Sequence, residues 1–87
     1  MKYRSRSDIV GLLLDAANGG RATKTKLMYK AYLSFIQLRE YLALLIENGL
    51  IEYEGDQTYR TTEKGMRVLH LQNQMDEVVP ISYINDK

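Results

Sequence analysis

Eighty-seven residues, 45% of them hydrophobic and 26% charged, suffice for one globular domain with a single modest core. The absence of cysteine excludes disulfides and thiolate metal sites and fits an intracellular setting, and no apolar run approaches the roughly 18 residues of a membrane span. The formal net charge of +1 hides an asymmetry: residues 1–33 hold seven cations and two acids (net +5), residues 34–87 five cations and nine acids (net −4). A basic first third suits a phosphate-bearing partner, a solvated surface without a partner being the alternative.

The basic start, Met1 to Ser7, is followed by a short apolar block that opens with Asp8 and lacks a small-residue cleavage site, so no signal peptide is expected. Ser5 or Ser7 can cap a first helix, with Asp8 well placed in its first turn. Ile9, Val10, Leu12, Leu13 and Leu14 are too crowded for one narrow stripe and predict a helix buried on more than one side. Asn18-Gly19-Gly20 stops it, and Arg21-Ala22-Thr23 reads as an extended bridge. Thr23 then caps a short helix, Lys24 to Ala31, that turns Leu27, Met28 and Ala31 inward.

A tight turn at Tyr32-Leu33 leads into the best-marked element. Ser34 is its N-cap, Gln37 completes a capping box, and Leu33 with Leu38 forms the hydrophobic staple. Phe35, Leu38, Leu42, Leu45 and Ile46 recur at helical spacing with Tyr41 at the edge, and Asn48-Gly49-Leu50 closes the helix. The period then alternates. Leu50 to Glu54 and Thr58 to Thr61 read as paired strands about a turn at Gly55-Asp56-Gln57. Thr61 or Thr62 caps a last helix over 62–79, and Pro80 forbids its continuation. The organisation is a domain over 1–79 and a tail over 80–87.

Helix, bridge, helix, tight turn, helix, hairpin, helix is the order of an α+β winged helix-turn-helix: a three-helix core, a two-stranded wing and an additional C-terminal helix. The helix after Ser34 would then be the recognition helix. Specific residues point the same way. Gly19-Gly20-Arg21-Ala22-Thr23-Lys24-Thr25-Lys26-Leu27-Met28-Tyr29-Lys30-Ala31 and Leu33-Ser34-Phe35-Ile36-Gln37-Leu38 resemble the opening of the small archaeal winged-helix DNA-binding proteins. The run Tyr41 to Tyr53 and Thr61-Thr62-Glu63-Lys64-Gly65 is similar to the rest of that domain, so the resemblance spans about residues 5–75. It implies a transcriptional regulator or a chromatin-associated protein, cytoplasmic and nucleoid-associated. In some members a long last helix pairs two subunits as an antiparallel coiled coil; here Pro80 cuts that helix short.

The DNA-binding candidates follow from this placement. Lys24, Thr25, Lys26 and Lys30 lie on the second helix, where a helix-turn-helix meets phosphate; Lys26 and Lys30 share a face. Ser34, Gln37 and Arg39 occupy the first turns of the recognition helix, where Arg suits guanine and Gln adenine, although capping competes for Gln37. Arg60 is the one wing cation, and Arg4 with Arg6 can form a basic arm. Tyr29 and Tyr32 can reach phosphate with their hydroxyls or pack the turn. Glu40 and Glu47 repel phosphate, and Glu52, Glu54 and Asp56 make the wing acidic, which argues against deep minor-groove insertion. Exposed Ile36, Ala43 and Leu44 suit the rival reading, a winged-helix adaptor between proteins.

Val68, Leu71, Met75 and Val78 recur at heptad-like spacing, so a homodimer is expected through this stripe, packing on the monomer's own first helix being the alternative. Catalysis finds no support: the only histidine, His70, has no cysteine nearby, the acids are scattered, and no glycine-rich phosphate loop occurs. No enzyme activity, metal or cofactor is expected; the expected partners are double-stranded DNA and a second copy of the chain.

Overall fold

The computed structural model describes residues 5–78, with side chains described as far as residue 74. Arg4, Pro80 and the tail over 80–87 lie outside the described residues, as do the side chains of Met75 and Val78. Four helices and one hairpin follow each other as expected: α1 (Arg6–Ala16), α2 (Lys24–Ala31), α3 (Phe35–Glu47), β1 (Ile51–Gly55), β2 (Thr58–Thr61) and α4 (Glu63–Val78). The α+β class is therefore correct.

Local chemistry sets the ends of the helices. Ser5, not Ser7, caps α1: its hydroxyl accepts from the Asp8 N–H at 3.1 Å while the Asp8 carboxylate accepts from the Ser5 N–H at 3.2 Å. Thr23 caps α2 through the Lys26 N–H at 3.1 Å. The turn between α2 and α3 is made by Tyr32 in the left-handed region (φ 56°), after which Leu33 donates to the Met28 carbonyl at 3.0 Å. Ser34 and Gln37 form the expected reciprocal box at the start of α3. At its end Gly49 (φ 74°) donates to Ile46 and Leu50 to Leu45, a Schellman closure with both bonds made.

The hairpin pairs Ile51 with Thr61, Glu52 with Arg60 and Tyr53 with Tyr59, with an irregularity between Tyr53 and Gly55. Asp56 and Gln57 both have positive φ, 54° and 60°, the pattern of a primed turn whose twist suits two short strands. The bridge before α2 departs from expectation. Arg21 is left-handed (φ 62°) rather than extended, and Ala22 pairs with Tyr59 through reciprocal backbone bonds of 3.2 and 2.8 Å. This one-residue strand covers the outer edge of β2 and ties the hairpin to the start of α2.

Leu13, Leu14, Leu27, Leu38, Leu45 and Ile51, from α1, α2, α3 and β1, are the largest fully buried side chains, and Tyr59 of β2 and Leu69 of α4 join the same core. α4 closes the structure through its first turn. Thr62, rather than Thr61, is its cap: the hydroxyl accepts from the Gly65 N–H at 3.0 Å and donates to the Gly49 carbonyl at 2.6 Å. A Cβ at Gly65 would lie 2.2 Å from the Leu50 carbonyl oxygen, so glycine permits this approach of helix to backbone. Farther along, Leu69 is buried, and Gln72 crosses α1 at Gly11 and donates to the Ser7 carbonyl and hydroxyl at 3.2 and 3.1 Å.

Two expectations about faces require correction. Phe35 and Ile46, assigned to the buried stripe of α3, are 48% and 41% exposed. At 3.6 residues per turn they lie about 50° and 70° from the middle of the arc formed by Leu38, Leu42 and Leu45, and α2 and β1 cover only that middle. Val68, assigned to a free seam, packs against the core, whereas Leu71 is 60% exposed. The two described members of the stripe therefore belong to different environments.

Candidate nucleic-acid interface

The start of α2 lies beside the hairpin. Thr23, Lys24 and Thr25 form one side of an open groove of about 450 Å³, and Tyr53, Gln57 and Tyr59 the other. Thr23 spends its hydroxyl on the Lys26 N–H, so among the described residues the N–H groups of Lys24 and Thr25 have no protein acceptor. Unbonded first-turn N–H groups, with the positive end of the helix dipole behind them, favour an anion. Tyr53 and Tyr59 meet edge to face with ring centroids 5.2 Å apart, and the Gln57 N–H donates to the Tyr53 hydroxyl at 2.9 Å. The sequence reading gave Tyr53 and Gln57 no part in the site; their signal was the alternation that sets Tyr53 opposite Tyr59.

Lys24, Lys26 and Lys30 are all exposed, and among the described residues none of them is ion-paired. Arg39 is likewise exposed and without a carboxylate partner among those residues. Its guanidinium lies 5.9 Å from the centroid of the Phe35 ring, and the Lys24 ammonium lies 5.8 Å from the same point. The structure thus joins the start of α2 to the first turns of α3 through a ring that the pattern had assigned to the core.

Ser34 and Gln37 are on the exposed surface, but their polar groups are partly engaged. The Gln37 amide oxygen accepts from the Ser34 N–H at 3.0 Å and the Ser34 hydroxyl from the Gln37 N–H at 3.1 Å. Bidentate reading of adenine needs both the oxygen and the NH₂ of the amide, and the box turns that oxygen back onto the Ser34 N–H, so capping competes with base reading. Glu40, Ala43, Leu44 and Glu47 are exposed on the outer side of α3, together with Ile36, which is 67% exposed.

Arg60 is not a free cation. It lies 3.9 Å from the Glu54 carboxylate, which also accepts from the Arg21 N–H and, at 3.2 Å, from the Thr58 hydroxyl. The Arg21 N–H foremost holds the Glu54 carboxyl below its ordinary value of 4.5 against desolvation, with smaller help from Thr58 and Arg60. Arg6 is exposed at the first position of α1. No helix among the described residues is long and apolar enough to cross a membrane.

A family model described as winged helix-turn-helix matches residues 3–79, nearly the whole chain. The chain belongs to the winged helix-turn-helix family. Its fold is similar to the crystal structure of T. acidophilum IdeR, with a TM-score of 0.65 at 18% sequence identity. That match covers 93% of this chain and 42% of the other, so the winged helix here spans less than half the length of that protein. No curated protein matches the sequence. In winged-helix terms α2 and α3 are the helix-turn-helix, the hairpin is the wing, and the Ala22 bridge is the short third strand at its edge.

Proposed function

We propose that this winged helix binds duplex DNA, as an archaeal transcriptional regulator or chromatin-associated protein of the cytoplasm and nucleoid, with no catalytic step. The observation that carries the reading is the set of exposed cations on the two helices of the helix-turn-helix, Lys24, Lys26 and Lys30 on α2 and Arg39 on α3, none of them ion-paired among the described residues. α2 meets the phosphate backbone, with Thr25 in its first turn, and α3 enters the major groove from its Ser34 end. The acidic wing stays shallow, since Glu54 lies beside Arg60 and Glu52 and Asp56 add further negative charge. The resemblance of residues 19–31 and 33–38 to small archaeal winged-helix proteins supports the setting.

Binding to mixed-sequence duplex DNA, titrated with salt, tests the reading. The logarithm of affinity falls linearly with the logarithm of salt, and a Lys24→Ala, Lys26→Ala double variant flattens that slope by roughly two. No binding at low salt would sink it. The exposed Ile36 and Leu44 favour a second reading, a protein–protein adaptor, which predicts that outcome. A homodimer through the outer face of α4 accompanies the DNA reading, because two recognition helices about 34 Å apart address successive major grooves. Leu71 is its testable residue, and an unchanged mass in light scattering after Leu71→Glu removes this face as the interface.

A further inference from the structure

Lys24 and Arg39 belong to different helices, yet their charged ends lie over one exposed ring, 5.8 and 5.9 Å from its centroid. Each cation lies within 6 Å of the same ring centroid, and among the described residues no carboxylate neutralises either. The negative face of Phe35 holds each of them only weakly. The arrangement therefore lacks an anion, and the unbonded N–H groups of Lys24 and Thr25 begin the adjacent turn.

We infer that Lys24, Phe35 and Arg39 form a clamp for a backbone phosphate of the DNA, in which Arg39 sets the register of α3 and reads no base; the inference rests on the DNA-binding reading above. Arg39 sits over residue 35, one turn back towards the start of its own helix and towards Lys24. Reading guanine requires the guanidinium to extend from the helix to a base edge, whereas phosphates lie along the groove walls that the start of α2 faces. A planar guanidinium can meet a phosphate with two parallel N–H bonds, and Lys24 adds a point charge. Phe35 is a positioning residue that holds both cations where the phosphate arrives.

The test is salt-titrated binding of the full chain to a mixed-sequence duplex and to the same duplex with 7-deazaguanine for guanine, which removes the N7 acceptor. The clamp predicts that Arg39→Ala and Lys24→Ala each weaken binding equally on both duplexes and flatten the log–log salt slope by about 0.9. Phe35→Leu weakens binding roughly two- to fivefold with the slope retained, and Phe35→Tyr restores it. An unchanged slope for Arg39→Ala, with affinity lost only on the guanine duplex, makes Arg39 a base reader and overturns the clamp. Failure of Phe35→Tyr to rescue, or a lowered melting temperature in Phe35→Leu, assigns the ring to stability and overturns its positioning role. Absence of binding by the unaltered chain overturns the underlying DNA reading instead, and is seen before any variant is made.

Discussion

Thr61 offers the most direct test of how the wing is anchored. It is the last residue of β2 and only 5% exposed. Its hydroxyl donates to the Leu14 carbonyl at 2.7 Å and its N–H donates to the Ala17 carbonyl at 3.0 Å. Near the end of α1 the Leu14 carbonyl has lost its usual partner, because the Asn18 N–H turns to Asp15. Thr61→Val keeps the shape and leaves that buried acceptor unsatisfied, which costs about 1–3 kcal/mol. For a domain of this size each kcal/mol lowers the melting temperature by roughly 4–8 °C. Thr61→Ser keeps the hydroxyl but loses the methyl that faces Gly65, so it should cost less than valine. Thermal and urea unfolding followed by circular dichroism measure both. A valine variant as stable as the wild type, or serine the more damaging of the two, would refute the hydrogen-bond account and leave packing as the anchor.

Three further outcomes follow from particular contacts. Leu38→Ala, at the centre of the buried arc of α3, should cost about 2–5 kcal/mol, read from the urea midpoint; a loss below about 1 kcal/mol would mean the site collapses around the cavity. Ser34→Ala removes one half of the box at the start of α3 and should cost about 1 kcal/mol, whereas Ser34→Asp should largely retain the cap, as chemical denaturation will report. Because the Glu54 carboxyl is held below 4.5 in the folded chain, its contribution to stability is present above that value and is lost as pH falls through its lowered folded value. Unfolding measured from pH 7 to pH 2 should therefore show a shallower acid decline in Glu54→Gln than in the wild type; superimposable curves would remove Glu54 as a contributor.

Much of the architecture was legible because it is written in short-range chemistry. The box at Ser34–Gln37, the cap at Thr23 and the Schellman end at Gly49 each involve residues three to five apart, so pattern alone could place them, whereas at the first helix it left Ser5 and Ser7 as alternatives. The lysines of α2 were legible for the same reason, since spacing puts Lys26 and Lys30 on one face. Other features depend on partners that only the folded chain brings together. Arg60 looks like a free wing cation until the fold brings Glu54 beside it, and Glu54 in turn accepts from the Arg21 N–H 33 positions distant. Val68 fits a heptad stripe until α4 is laid on the core.

The sequence by itself determined the order of the elements, which class of fold they make and which end of the chain is positive, because side-chain period, most caps and charge are local properties. Only the tertiary structure decided how far round each helix the core extends. Phe35 carries the point: its spacing is that of a core residue, yet α2 and β1 cover the arc at Leu38, Leu42 and Leu45 and stop short of it. Periodicity gives the direction of a buried face, but the neighbouring elements give its width. An aromatic residue left at that margin, with Lys24 from one helix and Arg39 from its own drawn over it, is a surface feature that no single stretch of sequence contains.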